Sequence, residues 1–308
     1  MNNHWLLDKK DETVARTLTE RLPSTVFDVH AHLYKTSMIN VPHQSIFATG
    51  PDDVTPDVWR DHVGRQVGAA RLRGALFIPA PMVPLDLVDQ TNAWTLKMAA
   101  TCENARALAL VAPGMSQAQI EPLLTHPAFA GFKPYHVYAS TQPTPNATPD
   151  AYIPEWVWPM ANEHGLTVTL HLVRAGGMAD PENIRYLRDH CLAYPAAKVI
   201  LAHAGRAFHA PNAAAGVGSL RDLDNLWFDT AAICESEPLI AILDACGPRR
   251  LLWGSDFPVS QQRGRAVTAG DGFLWITPDM VDPRAVSPCR LLPIGLESLR
   301  ALMTAADL

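Results

Sequence analysis

Five residues of this chain carry side chains able to hold a divalent metal, and each ends an apolar stretch: His30, His32, His171, His203 and Asp256. The first two belong to Phe27-Asp28-Val29-His30-Ala31-His32. Successive side chains of a strand point to opposite faces, so His30 and His32 share one face with Asp28, while Val29, Ala31 and Leu33 share the other. Two imidazoles one pleat apart can reach one ion, and neutral imidazole is the commonest metal donor. Taken alone, such a pair fits equally well two satisfied histidines at a strand end. Later stretches supply the rest: Leu166-Thr167-Val168-Thr169-Leu170 leads into His171, Lys198 to Ala202 into His203, and Leu251-Leu252-Trp253-Gly254-Ser255 into Asp256. Histidines with one carboxylate suit zinc, and with added water manganese or iron.

These residues need a scaffold that brings several strand ends to one rim. Apolar runs recur at even spacing along the chain and alternate with helical patterns. An amphipathic helix is expected from about Leu6 to Leu22, anchored by Val14 and Leu18. The first strand follows, from about Thr25 to Leu33, and then a long connection that would cover the site before a helix opening at Thr55-Pro56-Asp57. Further strands are expected at 75–79, 107–111, 131–138, 166–171, 198–203, 226–230 and 251–256. Helices are expected at 85–102, 116–124, 154–164, 181–194, 236–245 and 296–306. Strands alternating with helices, without hairpins, predict a parallel sheet closed as a (β/α)8 barrel. The rival is an open doubly wound sheet. That fold usually sets a glycine-rich phosphate loop after its first strand, and here His30-Ala31-His32-Leu33-Tyr34 stands in that place. One domain is expected over 1–308: an N-terminal helical extension at 1–24, the barrel at 25–290 and a closing helix at 291–308.

Composition agrees with such a core. The chain has 308 residues, 48% of them hydrophobic, and a net charge of -6. That mild acidity argues against a nucleic-acid groove or an anionic membrane surface. No apolar run is long enough for a signal peptide or a membrane span. The 5 cysteines, Cys102, Cys191, Cys234, Cys246 and Cys289, are scattered and odd in number. Reduced thiols in a cytoplasmic protein are the expectation, with a small-molecule substrate and homo-oligomers as an option.

The segments FDVHAHL, GFKPYHVY, LHLVRAGG, VILAHAG and LLWGSDFPVS run from first strand to last. Together they resemble the amidohydrolase superfamily, in the branch that includes aminocarboxymuconate semialdehyde decarboxylase. The resemblance implies His30, His32, His171 and Asp256 as metal ligands, with His203 a near-metal acid/base or a further ligand. It also bears on Lys133. In two-metal relatives a lysine on the fourth strand is carbamylated and bridges two ions, whereas an unmodified ammonium has no lone pair to donate. Pro134-Tyr135 departs from that context, so one divalent ion is expected, zinc first.

The implied chemistry is hydrolysis of a small, carboxylate-bearing ester, lactone or amide through a metal-activated water. Asp256 would take the proton, and His203 would steady an oxyanion or protonate the leaving group. Decarboxylation of a small unsaturated or aromatic acid is the alternative on the same centre, and metal-free sugar-acid lactone chemistry a third. A silent scaffold barrel would be expected to lose a ligand or Asp256, and neither is lost. Substrate charge points to arginines near the rim: Arg174 first, then Arg206, Arg263 and Arg265, because a guanidinium binds a carboxylate with two hydrogen bonds. Tyr135, Trp5, Phe208 and Trp275 are the expected aromatic walls.

Overall fold

The structure is a computed structural model that describes residues 5–43, 45–282, 284 and 290–307. The chain begins with α1 (Lys9–Thr19), β1 (Val26–Lys35), α2 (Ile46–Thr49), β2 (Asp53–Val54) and α3 (Pro56–Val67). Then β3 (Leu72–Pro79), α4 (Val88–Ala99), β4 (Arg106–Val111), α5 (Gln117–Ile120), β5 (Phe129–Pro134) and α6 (Val157–His164) alternate. The series continues with β6 (Thr167–Leu170), α7 (Pro181–Ala193), β7 (Lys198–Leu201), α8 (His203–Arg206), α9 (Ala210–Gly216), β8 (Leu226–Asp229), α10 (Ser236–Cys246) and β9 (Leu251–Leu252). A hairpin, β10 (Arg265–Ala269) and β11 (Gly272–Ile276), precedes α11 (Ile294–Ala306).

The strands pair in the order β2-β1-β3-β4-β5-β6-β7-β8-β9, all parallel except that β2 runs antiparallel to β1. The ring closes through the segment after β9. Val29 N donates to Trp253 O, Asp256 N to His30 O, and His32 N to Phe257 O, at 3.1, 2.8 and 2.7 Å. This is the expected (β/α)8 barrel. Its register demands a glycine at Gly131, whose φ is +144° and where a Cβ would lie 1.9 Å from Thr167 O on β6.

Local signals explain most helices. Asp180 caps α7 by accepting from Glu182 N and Asn183 N, with Pro181 in the first turn. Gly165 ends α6 in the left-handed conformation, φ +61°. Several strands stop sooner than their sequence pattern predicts, among them β5, which ends at Pro134 rather than Tyr138, and two more have a visible cause. The sixth barrel strand, expected over 198–203, ends as β7 at Leu201, because His203 to Arg206 form one left-handed turn with every φ positive. The last ends as β9 at Leu252, because Gly254 packs on His30, where a Cβ would sit 2.8 Å from the histidine Cβ. The hairpin and α9 were not expected. Gly270-Asp271-Gly272 between two apolar runs is a readable turn signal for the hairpin.

α1 is fastened to the far end of the chain. Asp11 is fully buried and accepts from Arg263 and Arg290, while Asp8 caps α1 and also takes Arg290. Burial works to raise the Asp11 pKa, but the hydrogen bonds from Arg263 and the Asp8 backbone hold it below its ordinary 3.8. Its stabilisation is therefore present above that value and is lost as pH falls through the lowered one. Asp11→Asn should cost about 1–3 kcal/mol, since the arginines keep solvent contact and a fully buried pair would cost more. Thermal melts at neutral pH and near pH 3 check this: the gap between wild type and variant should narrow in acid.

Candidate metal centre

His30 and His32 leave the C-terminal half of β1, and Asp256 comes to them across the closure of the ring. Asp256 Oδ1 lies 3.1 Å from His32 Nε2 and 3.5 Å from His30 Nε2; its Oδ2 is 4.0 Å from His203 Nδ1. One donor atom from each of His30, His203 and Asp256 falls within 4.8 Å of the others, all three buried. His171 is one ring further out, its centroid 4.8 Å from that of His203 and edge-on to it, and it lines the same cavity. All five expected residues thus meet at one rim. The tightest group contains His203 rather than His171.

Asp256 and His203 both hold positive φ, each 54°. For residues with a Cβ this is a strained conformation that surrounding contacts must impose. Two buried carboxylates impose it. Asp229, at the end of β8, accepts His203 N at 2.8 Å and Ala231 N at 3.1 Å through Oδ1, and its Oδ2 accepts from His30 Nδ1 at 2.8 Å. Asp28 accepts His30 N, Ser255 N, Ser255 Oγ and Trp59 Nε1, at 3.1, 2.9, 2.6 and 2.9 Å. Burial raises the Asp28 pKa to about 6, against those Ser255 bonds. Neither Asp229 nor Ser255 was expected from the sequence. Asp28 was placed beside the histidines by strand alternation, without a role.

The donor chemistry fits a cation. With Nδ1–H given to Asp229, His30 turns the lone pair of Nε2 toward Asp256 Oδ1. Burial, then the charge of Lys133, pushes the His30 pKa well down, so the ring is neutral; burial and His203 do the same for His171. Asp256 is ionised: burial acts to raise it, but His203 and the His32 hydrogen bond bring it to about 2. A neutral lone pair facing a carboxylate is repulsive until a cation lies between them. A histidine whose other nitrogen is held by a carboxylate is the usual form of a metal ligand.

The centre floors a cavity of about 210 Å³. The imidazoles, Asp256, Lys133 and Tyr135 give it a polar lining, and Phe47, Pro81, Met82, Val137 and Val259 an apolar one. Loops after β1, β3, β5 and β9 therefore supply the cover. Tyr135 donates to Pro79 O at 2.7 Å, and its hydroxyl oxygen lies 3.3 Å from His32 Nδ1. Lys133 is fully buried and its Nζ has no hydrogen-bond partner. His136 also lines the cavity, 5.3 Å from His171 between ring centroids, with Nδ1 buried and unpartnered. It was overlooked, although it lies inside the GFKPYHVY segment. Larger hollows of about 390 and 320 Å³ lie elsewhere, the first around Asn225 and Trp227, the second around Trp275 and Ile276.

The structure places the four arginines apart from the cavity lining. Arg174 does not line the cavity: its Nε lies 2.9 Å from Asp180 and its Nη1 donates to Asn146 O. Arg263 is spent on Asp11 and Leu291 O. Arg265 sits in β10, paired with Ile276 and away from the cavity. Each follows its strand by a plausible spacing, but an acidic neighbour or the hairpin takes it first. Arg206 does not line the cavity either, but its charge reaches it. It is half-buried over the Phe273 ring at 5.4 Å, and its charge lowers the pKa of both His136 and His171, after burial. Phe208 and Trp275 do meet, at 5.2 Å, and Phe208 lies 5.4 Å from His203, behind the cavity. Trp5 packs on His62 and Phe257 instead. Of the cysteines, Cys102, Cys191, Cys234 and Cys246 are free thiols, and Cys289 lies outside the described residues.

A parallel eight-strand barrel with histidines and an aspartate at its C-terminal rim defines an enzyme architecture. Residues 27–281 match the amidohydrolase family, and the chain belongs to it. A search of curated proteins by sequence gives no match. Among solved structures, apo IDCase of Metarhizium anisopliae aligns over 79% of this chain and 86% of its own, with 15% identity and a TM-score of 0.50. A dihydroxybenzoic acid decarboxylase from Polaromonas, with bound manganese and the inhibitor 2-nitroresorcinol, aligns over 76% and 86%, with 13% identity and the same TM-score, 0.50. The 2,6-dihydroxybenzoate decarboxylase from Rhizobium does so over 76% and 87%, at 13% and 0.50. At these identities the likeness is one of fold. The protein is an enzyme of the amidohydrolase family, as its five motif segments imply. No helix among the described residues is long and apolar enough to cross a membrane.

Proposed function

We propose that this enzyme is a metal-dependent hydrolase of a small, carboxylate-bearing ester, lactone or amide. The observation that carries the reading is the ionised Asp256 carboxylate facing the Nε2 atoms of His30 and His32 in a cavity at the barrel rim. His30, His32, His203 or His171, and Asp256 would hold one divalent ion, zinc first; the manganese in the Polaromonas structure supports manganese as the other choice. When bound, that ion supplies Lewis acidity, polarising a carbonyl and making water reactive near neutral pH. Asp256 takes the proton of the attacking water, being anionic and at the cavity floor. His203, beside Asp256, returns a proton to the leaving group. Tyr135 keeps His32 turned toward the centre and walls the cavity. The five apolar lining residues lower the polarity around the centre, which strengthens polar contacts there.

Decarboxylation of a small ring or unsaturated acid is the second reading, supported by the two decarboxylases of the same fold. There Asp256 or His203 would instead deliver a proton to carbon. One experiment separates the two. Protein stripped by chelator and reloaded with zinc or manganese is offered lactones, esters and amides, and in parallel ring carboxylic acids. Metal-dependent acid release without carbon dioxide supports hydrolysis, and carbon dioxide release supports the second reading. Undiminished turnover by the stripped protein would overturn both.

A further inference from the structure

Lys133 is a fully buried lysine whose Nζ has no hydrogen-bond partner; the Tyr135 ring 5.2 Å away offers it a cation–π contact but accepts no hydrogen bond through an oxygen, so its N–H groups stay unsatisfied, which is costly. Asp229 and Asp256 act on it through space, yet neither forms an ion pair with it. Both carboxylates are already engaged, Asp229 by His30 and two backbone N–H groups and Asp256 by His32. Burial lowers the Lys133 pKa to about 8, so the amine remains largely cationic at neutral pH. Lining the same cavity, His136 offers a buried, unpartnered Nδ1, and the charge of the half-buried Arg206 acts on it. No carboxylate lies within ion-pair distance of Lys133 or Arg206 among the described residues.

We propose that Lys133 and His136 form an anion subsite that receives the carboxylate of a substrate with a single-ring body. The carboxylate meets the Lys133 ammonium and the His136 Nδ1, two buried polar groups lining the cavity that have no partner in the protein. Body size follows from volume. A cavity of about 150 Å³ lined by apolar groups holds one benzene. The cavity of about 210 Å³, lined in part by Phe47, Met82 and Val137, therefore has room for one ring with one or two small substituents. This deepens the proposed function by naming a substrate class. It rests on that reading for the reaction only, because the anion contact needs no turnover.

The test is binding, read by titration calorimetry on chelator-treated protein, with benzoate as anionic probe and benzamide as its neutral isostere. Wild type should bind benzoate at least about tenfold tighter, a difference of about 1.4 kcal/mol. Lys133→Met should abolish that preference while leaving benzamide binding unchanged, and His136→Gln should reduce it. Equal binding of the two probes by wild type, no binding of benzoate, or a preference surviving in Lys133→Met would each overturn the subsite. So would a carbamate carbon signal by NMR from protein equilibrated with isotope-labelled bicarbonate and absent in Lys133→Met, for Lys133 would then be an anion. Should Lys133→Met misfold by circular dichroism, His136→Gln and the labelling result decide. A hydrolase reading that failed its own assay would leave all these outcomes readable.

Discussion

Asp256→Asn should lower kcat by about a hundred- to ten-thousandfold, the range over which a positioned general base contributes. The amide keeps an oxygen that can face His30 and His32, but it cannot accept a proton near neutral pH. Metal content, measured on the same preparation, should fall far less than activity. Near-normal turnover with metal retained would remove Asp256 from the role of base. The pH profile supplies an independent check. Asp256 is held at about 2, with His203 and His32 outweighing burial, so its ionisation should not limit the rate above pH 4. An acidic limb of kcat near neutrality would have to come from another group.

Asp229→Asn should weaken metal affinity by about ten- to a hundredfold, the usual cost of losing the partner that orients a ligand. The change is small in volume and keeps an oxygen for His203 N and Ala231 N, so the left-handed turn after β7 can persist. The amide nitrogen, however, now donates toward His30 Nδ1. His30 is forced into the tautomer with its hydrogen on Nε2, which removes the lone pair aimed at Asp256. Metal titration of the variant against wild type measures the loss directly. Unchanged affinity together with a normal melting temperature would show that His30 is not a ligand through Nε2.

The two experiments probe different origins of one site. Asp256 was visible from Gly254-Ser255-Asp256 at the end of an apolar run. Asp229 was not, because Leu226-Trp227-Phe228-Asp229 reads as any buried strand with a polar last residue. Its function depends on β1 and β7 both lying within reach of the end of β8, and that holds only in the closed ring. His136 escaped for a related reason: it follows Lys133 and Tyr135 on the same segment, and only the turn after β5 aims it back at His171.

What the chain order alone determined is the alternation of strands and helices, the barrel, and the family. The elements depend on periodicity and on motifs whose partners are near in sequence, a two-residue repeat for β1 and Asp180-Pro181 for the start of α7, and the family on the resemblance of five segments spread from the first strand to the last. The convergence of His30, His32, His171, His203 and Asp256 was legible because barrel strands all end at one rim. Tertiary structure decided the rest. It set His203 closer to Asp256 than the motifs suggested, through a left-handed backbone that needs Asp229 to hold it. It also sorted the arginines. A guanidinium pairs with the nearest carboxylate in space, so Arg174 went to Asp180 and Arg263 to Asp11 on the N-terminal helix. Strand spacing carries no information about such long-range competition, because it depends on which charges the fold brings within a few ångströms of each other.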